Sequence, residues 1–228
     1  KKLKKILSLG LIPPVNQMSN IKSPPKDQLF FPTELFYCPT SHLVQLGIEV
    51  DKKVIFPKEY PYTSSTTKIL RDNFAELAKE VNQHYSLTDK DLVIDIGSNV
   101  GVLLNNFKKL KLNILGVDPA KNICKIANNR GIKTLNSFFN KKITNKILKQ
   151  FGCPQIITGT NVFAHIDDLD EFFKNINKIL DKKKGILIIE VPHFLNLFKN
   201  LEYDTIYHEH LSYITVKPLI KYLKNFNL

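Results

Sequence analysis

The densest acid–base chemistry in this 228-residue chain lies near its end, in Tyr203-Asp204-Thr205-Ile206-Tyr207-His208-Glu209-His210-Leu211-Ser212-Tyr213. Histidine is the usual base near neutral pH, with an unperturbed pKa of about 6.5. Tyrosine can relay a proton or donate a hydrogen bond to a developing oxyanion. Tyr207 and His210 are three residues apart, so one helical turn would put them on the same face. Glu209 can orient or charge the pair. His208 and His210 would share a face on a strand, as two metal ligands can, but no third ligand follows at a useful spacing. Taken singly, His208 or Tyr203 reads as a satisfied polar residue on a surface turn. The cluster as a whole reads as a proton-transfer site.

A second concentration is Asp95-Ile96-Gly97-Ser98-Asn99-Val100-Gly101, set between an apolar run and an amphipathic stretch. Glycine lets the chain turn tightly and lets backbone approach a ligand. The spacing is G-x-x-x-G, not the G-x-G-x-x-G of dinucleotide binders. That argues against a pyrophosphate on the helix N-terminus and favours a nucleoside with a charged amino-acid tail, as in S-adenosylmethionine. Asp118 closes the next apolar run, 21 residues after Gly97. A carboxylate there can accept both ribose hydroxyls. The alternatives are a ligand-free strand-to-helix turn and, for Asp118 before Pro119, a plain helix cap. The expected cofactor contacts are Asp95, Gly97, Ser98, Asn99, Gly101, Asp118 and Pro119, with Asn161 following the fourth strand.

The elements that must position these residues follow from periodicity. Strand-length apolar runs occupy 91–97, 113–119, 132–135, 155–162 and 185–192, and amphipathic helical stretches occupy 100–110, 120–131, 140–152 and 167–185. This regular alternation predicts a doubly wound α/β fold, a parallel sheet with helices on both faces. Such sheets hold ligands at the carboxyl ends of their strands, where both clusters fall. Ahead of the sheet, Ile69, Leu70, Phe74, Leu77, Ala78 and Val81 predict a helix capped by Ser64, Ser65 or Thr66. Residues 1–62 carry most of the 12 prolines and read as a small irregular module with short strands at 35–38 and 42–48. The final KPLIKYLKNFNL reads as a helix under way without a stop signal, and residue 1 is Lys. The sequence therefore reads as a fragment at both ends.

Composition narrows the partners. Hydrophobic residues at 43% and aromatics at 10% support a core and exclude a disordered chain. No apolar run reaches the roughly 18 residues needed to cross a bilayer. The N-terminal KKLKKILSLGLIPP is too short in its apolar part, and lacks a cleavage site, to be a signal peptide. The net charge of +12 rests on 33 basic residues, of which only Arg71 and Arg130 are arginine. Nucleic-acid readers favour arginine for its bidentate fork, so a diffuse lysine surface implies no nucleic-acid partner. It does suit an anionic small molecule. Cys38, Cys124 and Cys153 are widely separated and odd in number, which fits a reducing cytoplasm. The expected state is a cytoplasmic monomer.

From about Leu9 onward the chain resembles the sugar C-methyltransferases that act on nucleotide-linked keto-deoxysugars. The matching segments are LGLIPPVNQ, CPTSHLVQL, YPYTSSTT, DIGSNVGVLL, LGVDPAKNI, NVFAHIDDLDEF, IEVPH and YDTIYHEHLSY, in the family's order. The resemblance implies a small zinc-type module at 1–62, a Rossmann-like methyltransferase domain at 63–200, and at 201–228 the start of a C-terminal domain that helps to hold the nucleotide-sugar. It implies S-adenosylmethionine as cofactor, with Tyr62 and Ser65 closing on its methionine end, the alternative for that segment being tyrosine packing and a helix cap. Asn161 and His165 follow the fourth strand and are candidates to line the pocket, His165 equally a helix-entry residue. Tyr207 and His210 become the candidates for removing a proton beside the sugar ketone, with Glu209 in support. Two departures stand out. The second Cys pair reads Cys38-Pro39-Thr40-Ser41, so even with His42 two ligands remain and no metal is expected. Val100 stands where the family usually has Asp. Competing readings are O- or N-methylation of a small molecule, which needs less carbon-acid activation, and an inactive cofactor-binding remnant.

Overall fold

In chain order the elements begin with β1 (Lys4–Ile12), β2 (Phe31–Tyr37), β3 (Val44–Leu46), the short α1 (Lys52–Ile55) and α2 (Lys68–Tyr85). They continue with β4 (Leu92–Ile96), α3 (Val102–Lys109), β5 (Asn113–Asp118), α4 (Lys121–Asn129), β6 (Thr134–Asn136), α5 (Lys141–Phe151) and β7 (Ile156–Thr160). The last are α6 (Leu169–Ile179), β8 (Ile186–Glu190), α7 (Phe194–Asn200), β9 (Ser212–Tyr213) and α8 (Val216–Leu223). The computed structural model describes residues 2–17, 22, 27–55 and 60–228. The chain divides into two compact units, one built from Lys58–Thr160 and Asp170–Glu190, the other from Lys1–Pro57, Asn161–Leu169 and Val191–Asn227.

The first unit carries a five-stranded parallel sheet in the order β6-β5-β4-β7-β8. This is the α/β architecture expected from the alternation. β4 is buried along its whole length, as a strand covered on both faces must be, which is why it reads as an unbroken apolar run. The helices bury one face each: Phe74, Ala78 and Val81 on α2, Leu103, Leu104 and Phe107 on α3, Ile123, Cys124 and Ala127 on α4. Strand order reverses at β4, so the crevice for a ligand opens at the carboxyl ends beside it. One expectation is corrected. The cap of α2 is Thr67, whose side chain accepts from the Leu70 amide, because Ser64 is engaged elsewhere.

The second unit holds a four-stranded antiparallel sheet, β1-β2-β3-β9. Its small core is Leu35, Val44, Leu46, Leu197, Ile206 and Tyr213. Val44 pairs with Tyr213 and Gln45 with Ser212. Segments expected to belong to an N-terminal module and a C-terminal one thus share a single sheet. The nine-residue β1 was not foreseen. It is exposed on nearly every residue, so it shows no alternation, and irregularities of register interrupt its pairing. The C-terminal helix does stop within the chain: α8 ends at Leu223, a single 3-10 turn follows, and Asn227 takes a left-handed conformation. No helix among the described residues is long and apolar enough to cross a membrane.

Candidate functional site

In the parallel-sheet unit, the chain leaves β4 through Gly97, Asn99 and Gly101, all at positive φ. Gly97 needs that freedom to turn back so that its amide meets the Val117 carbonyl at 2.8 Å. Gly101 needs it for a different reason than ligand approach: a Cβ there would stand 2.7 Å from Ile132 Cγ2. Asp118 ends β5 and is buried. Its Oδ2 accepts the Asn99 amide and its Oδ1 the Ala120 amide, each at 2.9 Å. Burial raises its pKa, and those two amides oppose the rise. The carboxylate is thus the staple of the glycine loop and holds the turn into Ala120 just ahead of α4, without capping that helix. Each oxygen keeps a further lone pair for a ligand hydroxyl.

Asp95 is fully enclosed on β4. Burial pushes its pKa up to about 7; the Thr158 hydroxyl, donating to Oδ1 at 2.7 Å, resists this, and the nearby charge of Asp118 adds to it. Two carboxylates that repel each other at the head of the sheet suit a ligand carrying positive charge. Val100, where a carboxylate was a possibility, is buried in the core. The Ser98 hydroxyl turns inward and is buried without a hydrogen-bond partner among the described residues. It occupies the space that a Cβ on Gly116 would claim, at 2.4 Å. Pro119 follows Asp118 and offers its carbonyl to Asn136 at 2.8 Å.

The segment Tyr60–Ser65 lies on this loop. Asn99 Oδ1 accepts from the Ser64 amide at 2.9 Å and from the Ser64 hydroxyl at 3.3 Å, and Asn99 Nδ2 donates to the Tyr62 carbonyl at 3.2 Å. Tyr62 itself is 47% exposed, and the Ser65 carbonyl accepts from Arg71 Nη1 at 2.6 Å. An aspartate pair, a glycine turn and a tethered segment at the strand ends fit a nucleoside with a cationic amino-acid tail. Asp118, Asp95 and the 97–101 backbone would hold S-adenosylmethionine.

The Tyr203–Tyr213 cluster lies in the antiparallel-sheet unit. Residues 207–210 form a tight turn closed by the His210 amide on the Tyr207 carbonyl at 3.0 Å, not a helix. The turn still brings Tyr207 and His210 together. His210 Nδ1 stands 2.7 Å from the Thr205 carbonyl. A carbonyl can only accept, so Nδ1 carries the proton and Nε2 of the neutral ring is the acceptor. The Tyr207 hydroxyl donates to Nε2 at 2.8 Å. Burial holds the His210 pKa below its ordinary value, partly offset by Thr205, so the ring is neutral at pH 7 and Nε2 is free to accept a proton.

Glu209 is 4% exposed. It accepts from the Asn16 side chain on Oε1, and its Oε2 lies 3.8 Å from His165 Nδ1. The His165 ring meets His210 edge-on at 5.0 Å, and burial and His210 push the His165 pKa down to about 3, against a backbone hydrogen bond with Asn161. His165 thus lies between Glu209 and the His210 ring. His208 points the other way, to Thr33 at 3.1 Å and the edge of Phe31, and is a structural residue. Tyr203 is half exposed. His84 meets the Tyr85 ring edge-on, and His193 precedes α7 without a side-chain cap. His42 bonds Tyr37 at 2.5 Å. Among the described residues no three His, Cys, Asp or Glu side chains are grouped to hold a metal.

Sequence reasoning did not find Asn16, Thr158 or Asn122. Each acts on a partner far along the chain, and asparagine and threonine carry no motif of their own.

A profile of the methyltransferase domain family matches residues 64–228. The chain is 29% identical over 223 residues to C-methyltransferase NovU of Streptomyces niveus, covering 98% of this chain and 53% of that protein. It is 28% identical over 97 residues to the ubiquinone biosynthesis O-methyltransferase of Pelagibacter ubique, covering 42% of this chain and 40% of that protein. The chain thus spans about half the length, or less, of these relatives. Among solved structures, the YcgJ protein of Bacillus subtilis superposes with a TM-score of 0.52 at 14% identity, over 68% of each chain. The plantazolicin methyltransferase BpumL, solved with SAH, superposes with a TM-score of 0.51 at 18% identity, over 66% of this chain and 64% of its own. These two likenesses concern the fold. Profile and fold agree: the chain belongs to the methyltransferase domain family and is of its S-adenosylmethionine-dependent kind.

Proposed function

We propose that the chain belongs to an enzyme that methylates the carbon beside the ketone of a nucleotide-linked keto-deoxysugar. The observation that carries this reading is the Thr205–His210–Tyr207 chain, with links of 2.7 and 2.8 Å. Methyl transfer to oxygen or nitrogen has a lone pair ready to react, whereas transfer to carbon first needs a C–H proton removed. In this reading the C–H bond beside the ketone breaks, its proton passes to the Tyr207 oxygen, and the phenol proton passes to His210 Nε2. The electron pair is left as an enolate. His165 and Glu209 keep the His210 ring in place and balance the imidazolium that forms. When bound, S-adenosylmethionine supplies an electrophilic methyl group on a sulfonium. Asp118, Asp95 and the glycine loop would orient it, with Tyr62 and Ser65 proposed at its methionine end and Asn161 as a further cofactor contact.

The C-methyltransferase among the relatives supports the choice of carbon. A lysine-rich surface with net charge +12 suits a phosphorylated substrate, and the same charge opposes self-association. We take the enzyme to act as a monomer in a reducing cytoplasm, with residues 1–62, 63–200 and 201–228 as its successive functional parts. The test is deuterium exchange at the carbon beside the ketone, followed by NMR in heavy water with the full natural protein and S-adenosylhomocysteine. Exchange should fall by about 10²–10⁴-fold in Tyr207→Phe and His210→Ala, the usual worth of general acid–base catalysis. Exchange at the wild-type rate in both variants would remove the carbon-acid reading and favour methyl transfer to oxygen or nitrogen.

A further inference from the structure

We propose that Asn122 is a positioning residue for the cofactor: its side-chain amide anchors one end of a strap, residues 60–64, whose other end is anchored by Asn99. The inference rests on the reading that the 97–101 loop holds S-adenosylmethionine. Asn122 is the second residue of α4 and does not cap it; that position falls to Ala120, which makes no side-chain cap. Asn122 instead forms a reciprocal pair with one backbone unit. Its Oδ1 accepts the Tyr60 amide at 3.3 Å, and its Nδ2 donates to the Tyr60 carbonyl at 3.0 Å. Two residues further on, Asn99 takes the Tyr62 carbonyl, and then the Ser64 amide and hydroxyl.

The two anchors belong to different loops. Asn99 lies in the turn after β4, and Asn122 in the first turn of the helix that follows β5 and Asp118. A strap fixed to both must cross the carboxyl ends of the two strands that carry Asp95 and Asp118. A nucleoside on those strands lies under it. Between the anchors Pro61 is exposed and Tyr62 keeps nearly half its surface open, so the strap buries little of itself there and is held at both ends by asparagine side chains. Fastening it should slow both entry and escape of the cofactor.

The experiment measures association and dissociation of S-adenosylhomocysteine by surface plasmon resonance, with wild type, Asn122→Ala and Asn122→Asp. Losing two backbone hydrogen bonds should raise the dissociation rate of Asn122→Ala by about 10- to 100-fold, and association should quicken too, because the strap opens. Asn122→Asp keeps the acceptor for the Tyr60 amide but turns an oxygen to its carbonyl, and should fall between. Melting without ligand is measured alongside. If Asn122→Ala melts lower while both rates stay at wild-type values, the residue is only structural and the proposal fails. If the wild type binds no S-adenosylhomocysteine, the cofactor reading of the loop falls, and this inference with it. If Asn122→Ala does not fold, Asn122→Asp at wild-type rates overturns the proposal equally.

Discussion

Asp118→Ala should separate two jobs held by one carboxylate. In the free protein the side chain accepts the Asn99 and Ala120 amides at 2.9 Å each. Alanine leaves both donors without an acceptor in a buried setting, at about 1–3 kcal/mol apiece where water cannot reach them. Part of that returns as water enters the gap, so a loss of about 2–4 kcal/mol in stability is expected. The second job concerns the ligand. Two charge-assisted hydrogen bonds to the ribose, each worth about 1.5–3 kcal/mol, put the loss of affinity at about 10²-fold or more. Titration calorimetry with S-adenosylhomocysteine reads the second quantity, and melting without ligand reads the first. Asp118→Asn gives a further check: it keeps one acceptor oxygen but sets an amide N–H against one backbone donor, so both quantities should lie between wild type and alanine. If Asp118→Ala loses stability yet binds with the wild-type Kd, the carboxylate only staples the glycine loop, and the ribose lies elsewhere.

Three further outcomes follow from the same geometry. Asp95, raised to about 7 by burial, gains its charge as pH rises through that value. The cationic donor should therefore bind more tightly, relative to its neutral product, at pH 8 than at pH 6 in calorimetry, and Asp95→Asn should flatten the ratio. Burial lowers the His210 pKa, and only the neutral ring can take a proton. Exchange beside the ketone should therefore hold steady down to pH 6.5 and fall only below it; a fall centred above pH 7 would rule out His210 as the proton sink. Gly101→Ala must accept a left-handed backbone and a Cβ 2.7 Å from Ile132 Cγ2. A loss of about 2–4 kcal/mol in denaturant unfolding is expected from strain and overpacking together, and unchanged stability would contradict the close approach of α3 to Ile132.

What could be read from the sequence was what the chain builds locally. The parallel sheet announces itself because each covered strand is a short apolar run and each helix buries one face, as with Ile123, Cys124 and Ala127. The glycine turn and Asp118 were legible for the same reason, since both sit at strand ends fixed by that pattern. β1 was not legible, because a strand exposed on both faces has no period to detect. The cap of α2 was misplaced by one to three residues because Ser64 bonds Asn99, which lies 35 residues away. The pairing of Tyr207 with His210 was foreseen, though through a helical turn where the chain makes a tight turn. The route from Glu209 was not: its carboxylate reaches Asn16, 193 residues distant, and His165, and no spacing rule connects them.

That difference bears on how the chemistry is built. Every group assigned to the nucleoside except Asn161 lies within Lys58–Thr160, inside one continuous stretch of the parallel-sheet unit. The acid–base turn, in contrast, is held by partners from three stretches of chain. β9 pairs with β3, the Leu211 amide donates to the Ala164 carbonyl at 2.6 Å, and Asn16 donates to Glu209. The family profile begins at residue 64, so two of those supports, β3 and Asn16, lie outside it. The groups proposed for the nucleoside are therefore mostly covered by the profile, Tyr62 excepted, whereas the Tyr207–His210 turn is packed against residues that lie further outside it. A Tyr-x-x-His pair gains a defined tautomer only when something fixes the second nitrogen, and here that is the Thr205 carbonyl in the same short segment. The Tyr207–His210 pair is thus encoded locally, while the segment that carries it is packed against β3 and Asn16 from the N-terminal part of the chain. Substitutions in residues 1–57 should act on proton transfer before they act on cofactor binding.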